Sequence, residues 1–178
     1  MDFSILRGAS NKEEFEESFM IQLGAEVRRH KRLGHFKRVI DPDDLELINA
    51  ITSHERHAKT KLETVYYKLS RILFESTDRK VLILVDEYDT PVSSAINQEL
   101  YIYTERFLRR TFGTLLRKNR FVFGALLVGI LKCMRTSFLS GIPSIKIYPL
   151  SPAQSLYGDT CLFTEEEVQA LFNFVKVK

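Results

Sequence analysis

The chain is 178 residues long, 44% hydrophobic and 28% charged, with a formal net charge of +3. That suits one globular domain, and the charge alone is too small to argue for nucleic acid. Residues 1–4 lack the basic start and apolar block of a secretory leader, no apolar run is long enough to span a bilayer, and two cysteines, Cys133 and Cys161, do not make a disulfide scaffold.

The two cysteines also fit no metal spacing, so free thiols in a reducing, intracellular setting are expected. Residues 1–5 read as the tail of a strand. Ser10 and Glu13 have the spacing of a capping box, and Phe15, Phe19, Leu23 and Val27 follow at helical spacing. The cations Arg28, Arg29, Lys31 and Arg32 suit the end of that helix. They are read as helix-end charges rather than a nucleic-acid patch, because no aromatic platform is interleaved.

Residues 34–57 read as an insertion between core elements. Asp41 and Pro42 open a short helix there, with Leu45, Ile48 and Ile51 on its apolar face. His54 and His57 are three apart, which is not the HExxH spacing, and no third ligand is evident. Leu62, Val65, Tyr66, Leu69, Ile72 and Leu73 mark another helix, and Asp78 and Arg79 turn the chain.

The stretch Val81-Leu82-Ile83-Leu84-Val85 is a continuous apolar run that ends in Asp86 and Glu87. Such a run predicts a strand buried on both faces, as in a parallel sheet covered by helices. Asp89 and Pro91 follow in the exit loop. Residues 98–118 predict an amphipathic helix with Leu100, Tyr103, Phe107, Leu108, Leu115 and Leu116 inward and Arg109 and Arg110 outward. Residues 121–129 predict a second buried strand running toward Lys132. Strand, helix and strand in this order predict a right-handed crossover and a parallel pair. After a loop at 136–143 and a short strand at 145–148, Thr164 and Glu167 form a second capping box. It opens a last helix with Val168, Leu171, Phe172 and Val175 inward.

Ligands of open α/β sheets bind at the carboxyl ends of strands, which is where Asp86, Glu87 and Lys132 are expected to cluster. A carboxylate there can hold Mg²⁺ beside phosphates, and a second can orient or deprotonate a water. Asp86 is the metal-side acid on this reading and Glu87 the base. Asp89 is a supporting or loop-capping acid, and Lys132 contacts a phosphate or pairs with Glu87. The plainer alternative is a strand that ends in solvated acids.

Several segments resemble the AAA-ATPase-like family, a branch of the P-loop NTPases often linked to a restriction-like nuclease domain. Residues 81–91 are similar to its hhhhIDEYDxP strand. Asp2-Phe3-Ser4 and residues 13–18 are similar to its LDFS strand and EEFExS helix. Residues 118–123 resemble its K-[DN]-x-RFVF strand, Ser140-Gly141 its FSGL loop, and residues 163–168 its GFTEEEV helix start. The resemblance implies a three-layer parallel sheet of P-loop NTPase type with helices on both faces, and ATP and Mg²⁺ as ligands. Asp86 and Glu87 would be its Walker B acids, with Asp86 on the metal and Asp89 near the cofactor.

Residues 128–132 resemble the family's TGVSK segment, with Val128 and Leu131 in place of its hydroxyl residues. The family's GxxxxGK[ST] phosphate loop is not present in the 178 residues. The expectation is therefore a fragment or a degenerate member with weak or no ATP hydrolysis. A sheet edge would then be exposed near Val81 and favour self-association. Two further readings stand beside it. One is a non-enzymatic protein- or nucleic-acid-interaction module on the same scaffold. The other is a metal-dependent nuclease using Asp86, Glu87 and Lys132, which the parallel strand order disfavours.

Overall fold

A computed structural model describes residues 1–54, 61–129, 142, 145–146, 148 and 164–176. Lys132, Cys133, Cys161, His57, the Ser140-Gly141 loop and Ile147 lie outside the described residues, and Ile145, Lys146 and Tyr148 do not form the expected strand. The chain forms two compact units, Met1–Ser144 and Ile145–Lys178.

The first unit starts with a short extended pairing. Asp2 makes a parallel bridge with Asp86, through Phe3 N–H to Asp86 O at 3.0 Å and Asp86 N–H to Met1 O at 2.9 Å. The predicted strand tail then gives way to a 3-10 turn over Phe3–Leu6. The cause is local: the Asp2 carboxylate accepts from Ser4 N–H at 2.8 Å and caps the turn. Helix α1, Lys12–Arg32, follows. Its cap is Asn11, one residue later than the expected Ser10. Asn11 accepts from Glu14 N–H at 2.9 Å, and Glu14 reaches back to Ser10 N–H at 2.8 Å. The amide of Asn11 also donates to Glu14 at 3.1 Å.

Helix α2, Pro42–Thr52, is capped by Asp41 as expected. Its inward face is Leu47, Ile48 and Ile51, whereas Leu45 is exposed. The face is rotated because Asp44 must also turn inward, where it meets Arg71 at 2.5 Å. That ion pair ties α2 to α3, Val65–Thr77. Asp78, in the left-handed region at φ 56°, ends α3 and sends the chain into β1, Val81–Val85. A single short turn α4, Thr90–Ser93, precedes α5, Gln98–Leu116, which Asn97 caps through Leu100 N–H at 2.8 Å. Buried Asn119 shapes the exit from α5. It donates to Leu115 O at 2.9 Å and Ser70 Oγ at 3.0 Å, and accepts from Phe121 N–H at 3.0 Å.

Strand β2, Val122–Leu127, pairs with β1 in parallel, with Val85 opposite Leu127. The expected strand–helix–strand unit is thus present as a two-stranded parallel sheet among helices. The expected burial of both faces is not. Ile83 and Val85 are buried, but Leu82 is 57%, Leu84 52% and Leu126 58% exposed. Alternate residues of a strand point to opposite faces, so the alternation means that one face is packed and the other bare. Phe123 on β2 is also exposed, so β2 is not the buried strand expected from its composition. The exposed edge expected near Val81 is partly covered, since Met1–Phe3 bonds the carboxyl end of β1. Among the described residues, the outer edge of β2 carries no strand.

In the second unit, α6 spans Glu165–Lys176. Its capping box forms as expected, with Glu167 N–H to Thr164 Oγ1 at 3.2 Å and Thr164 N–H to Glu167 Oε2 at 2.8 Å. Val168, Leu171 and Phe172 are exposed rather than inward.

Candidate functional site

The two strands deliver their carboxyl ends side by side. Val128 N–H donates to Val85 O at 2.8 Å and Tyr88 N–H to Val128 O at 3.1 Å, so β2 ends beside the acids that leave β1. Gly129 is built into this junction. A Cβ there would lie 2.3 Å from Asp89 Oδ1 and 2.7 Å from Tyr88 Cε1, so only a glycine lets the strand end approach this closely.

Asp86 and Glu87 are neighbours in sequence but look in different directions. Asp86 is exposed and lines an open groove with Met1, Asp2, Gln22, Glu26 and the apolar floor of Leu84 and Leu126. One of its oxygens, Oδ1, accepts from Glu87 N–H at 3.0 Å. That contact belongs to a tight corner, because Glu87 sits in the left-handed region at φ 49°. A non-glycine residue there is uncommon and marks a position set by its surroundings.

The Glu87 carboxylate is held from the opposite side. Its Oε2 accepts from Thr90 Oγ1 at 2.7 Å and from Arg7 Nη2 at 2.8 Å. Arg7 sits just past the 3-10 turn whose first residues bond Asp86, so one N-terminal segment touches both acids. Arg7 and Thr90 were not legible as site residues. The only signal was the neighbouring Asp2-Phe3-Ser4 stretch, which resembles the family's LDFS strand.

Asp89 is 4% exposed and stands at the cap position of α4, where its side chain makes no capping bond. It packs against Gly129 and is not on the groove wall. Lys132, three residues beyond Gly129, lies outside the described residues.

Two other acids flank Asp86. Hydrogen bonds from Ser4 hold the Asp2 carboxyl below its ordinary range. Burial pulls the Glu26 carboxyl up, but the Arg29 hydrogen bond and the nearby amino terminus outweigh it and the net shift is downward. The groove wall is therefore anionic, which suits a cation more than a bare phosphate. No three His, Cys, Asp or Glu side chains converge into a metal cage among the described residues. Mg²⁺ at a phosphate site does not need one, since one or two carboxylates plus waters and phosphates complete its shell.

A parallel α/β unit with acids at the tip of one strand, beside the end of its neighbour, is an arrangement suited to ligand binding at the end of the sheet. Residues 1–139 match the family described as Predicted AAA-ATPase, and the chain belongs to that AAA-ATPase-like family. No curated protein and no solved structure matches it. No helix among the described residues is long and apolar enough to cross a membrane.

Proposed function

We propose that this chain carries the acidic, metal-side part of an ATP-hydrolysing site. Asp86 is the Walker B-type carboxylate that would hold Mg²⁺, through its Oδ2 or a bound water. Glu87 is the group that orients the attacking water, with Lys132 beside the phosphates and Asp89 as buried support. The observation that carries this reading is the split at the strand tip: Asp86 opens on the groove, while Arg7 and Thr90 hold the next carboxylate, Glu87, in a fixed place. Mg²⁺ would neutralise phosphate charge as it develops. The chain's own part is to place the two carboxylates, and its backbone corner at Glu87 sets their separation.

The same reading limits what these 178 residues do alone. Phosphate positioning in P-loop NTPases rests on the loop's backbone donors and its Lys. No GxxxxGK[ST] stands in this sequence, and Asp86 with Glu87 supplies only negative charge. The chain by itself should bind Mg²⁺–ATP weakly and not turn it over. The test is calorimetry and phosphate release on this chain, beside any longer gene product that carries an upstream GxxxxGK[ST] segment, each with Glu87→Gln. Glu87→Gln should stop turnover in the longer product and spare binding. Glu87-dependent turnover by the 178 residues alone would defeat the reading.

A second reading, a binding or self-associating scaffold, is favoured by the bare sheet face at Leu82, Leu84 and Leu126. Light scattering separates the two, since a monodisperse monomer at moderate concentration argues against the scaffold.

A further inference from the structure

The C-terminal end of α1 closes in a glycine turn. Gly34, at φ 74°, donates to Lys31 O at 3.0 Å, and His35 N–H donates to His30 O at 3.1 Å. This double closure places the side chains of His30 and His35 against each other, where helices ended this way commonly put an apolar contact. Here the contact is polar: His30 Nδ1 and His35 Nδ1 are 2.8 Å apart. We propose that the His30–His35 pair is a proton-operated latch on the end of α1.

The protonation of the pair follows from its neighbour. Arg29 Nη2 lies 3.1 Å from His30 Nε2. A guanidinium only donates, so His30 Nε2 carries a lone pair and the single ring proton is on Nδ1. His30 Nδ1–H then donates to His35 Nδ1, which must be bare, so the His35 proton is on Nε2. Both rings are neutral, and the chain Arg29, His30, His35 runs in one direction.

One added proton breaks it. On His35 Nδ1 it sets two N–H donors face to face, and on His30 Nε2 it removes the acceptor of Arg29. The charged and titratable groups around His30 are Arg29 and Glu26 on α1 and His35 on the closing turn. Lys37 lies over Gly34, the amino terminus stands 3.5 Å from Glu26, and the Phe36 ring adds no charge. Burial, Arg29 and His35 push the His30 imidazole from 6.5 down to about 4, with Glu26 opposing. A depressed histidine takes up its proton more readily when unfolded. The latch is therefore fully present above about pH 6.5 and is lost as pH falls toward about 4. Arg29 also bonds Glu26 at 2.8 Å and 3.1 Å, and Glu26 lines the groove beside Asp86. Opening the latch thus frees a donor that already touches the groove wall.

The test is amide exchange at Leu33, Gly34 and His35 from neutral pH down to about pH 4, with the buried Leu115 amide as internal reference. Relative to Leu115, their protection should fall roughly tenfold or more. In His35→Phe the ring restores an apolar contact at the same place, so protection should persist and its acid dependence shrink to what His30 and Arg29 alone retain. Unchanged protection in the native chain, a loss shared equally by Leu115, or the same acid loss in His35→Phe would each overturn the latch. Imidazole ¹⁵N spectra of the native chain at neutral pH decide the matter even if the variant does not fold. His30 protonated at Nδ1 and His35 at Nε2 support the proposal, and His30 protonated at Nε2 defeats it.

Discussion

The two faces of β1 are built from the same kinds of residue and end in opposite states, with Ile83 and Val85 buried and Leu82 and Leu84 bare. Among the N-terminal turn and helices α1 and α5, Phe3, Phe15, Phe19, Phe107 and Phe112 are all buried. Phe107 stands edge-on to Phe15 and Phe19, with centroids 5.2 Å and 4.9 Å away, and Phe3 stacks on Phe112 at 6.1 Å. On the other side, Leu82, Leu84 and Leu126 face solvent. Apolar content alone therefore does not locate the core; the partner layer does. Stability is concentrated where α1 and α5 interlock through rings, and the bare face contributes little burial.

Three substitutions sharpen or break this contrast. Phe107→Ala removes the ring shared by two edge-on pairs and should cost about 3 to 5 kcal/mol, enough to unfold a domain of ordinary stability. Denaturant melts check it. Tyr66→Phe acts on the packed side in the other direction. The Tyr66 hydroxyl is buried with no hydrogen-bond partner among the described residues, so its removal should raise stability by roughly 1 kcal/mol, read as a higher denaturation midpoint with an unchanged slope. Leu84→Asp, on the bare face, should change stability by no more than about 0.5 kcal/mol and lower any self-association seen by light scattering. A core-sized loss at Leu84 would show that this face is covered in solution.

The sequence carried the local decisions well. Residues that cap, such as Asp41 and Thr164, act through bonds to backbone only a few positions away, so spacing alone reveals them. The parallel pairing was legible because one amphipathic helix between two apolar runs leaves few topologies. The one-sided burial of β1 was not, since five consecutive aliphatic residues carry no alternation to say which face meets helices. The Asp86–Glu87 corner was legible as two acids at a strand end. Arg7 was not, because it reaches Glu87 across 80 positions from a turn with no recognisable pattern. The rotated face of α2 depended on Asp44 meeting Arg71, a pairing 27 positions apart.

Gly129 has a consequence for how the site would tolerate variation. It contributes no side chain, yet an added methyl would sit 2.3 Å from Asp89 Oδ1. In a saturation library selected only for folding, Asp86 on the open groove should accept many replacements. Gly129 should accept almost none without displacing Asp89 or Tyr88. The least chemically endowed residue at the strand tips would thus be the most constrained one. A mutational map would point to it before it pointed to the exposed carboxylate of Asp86.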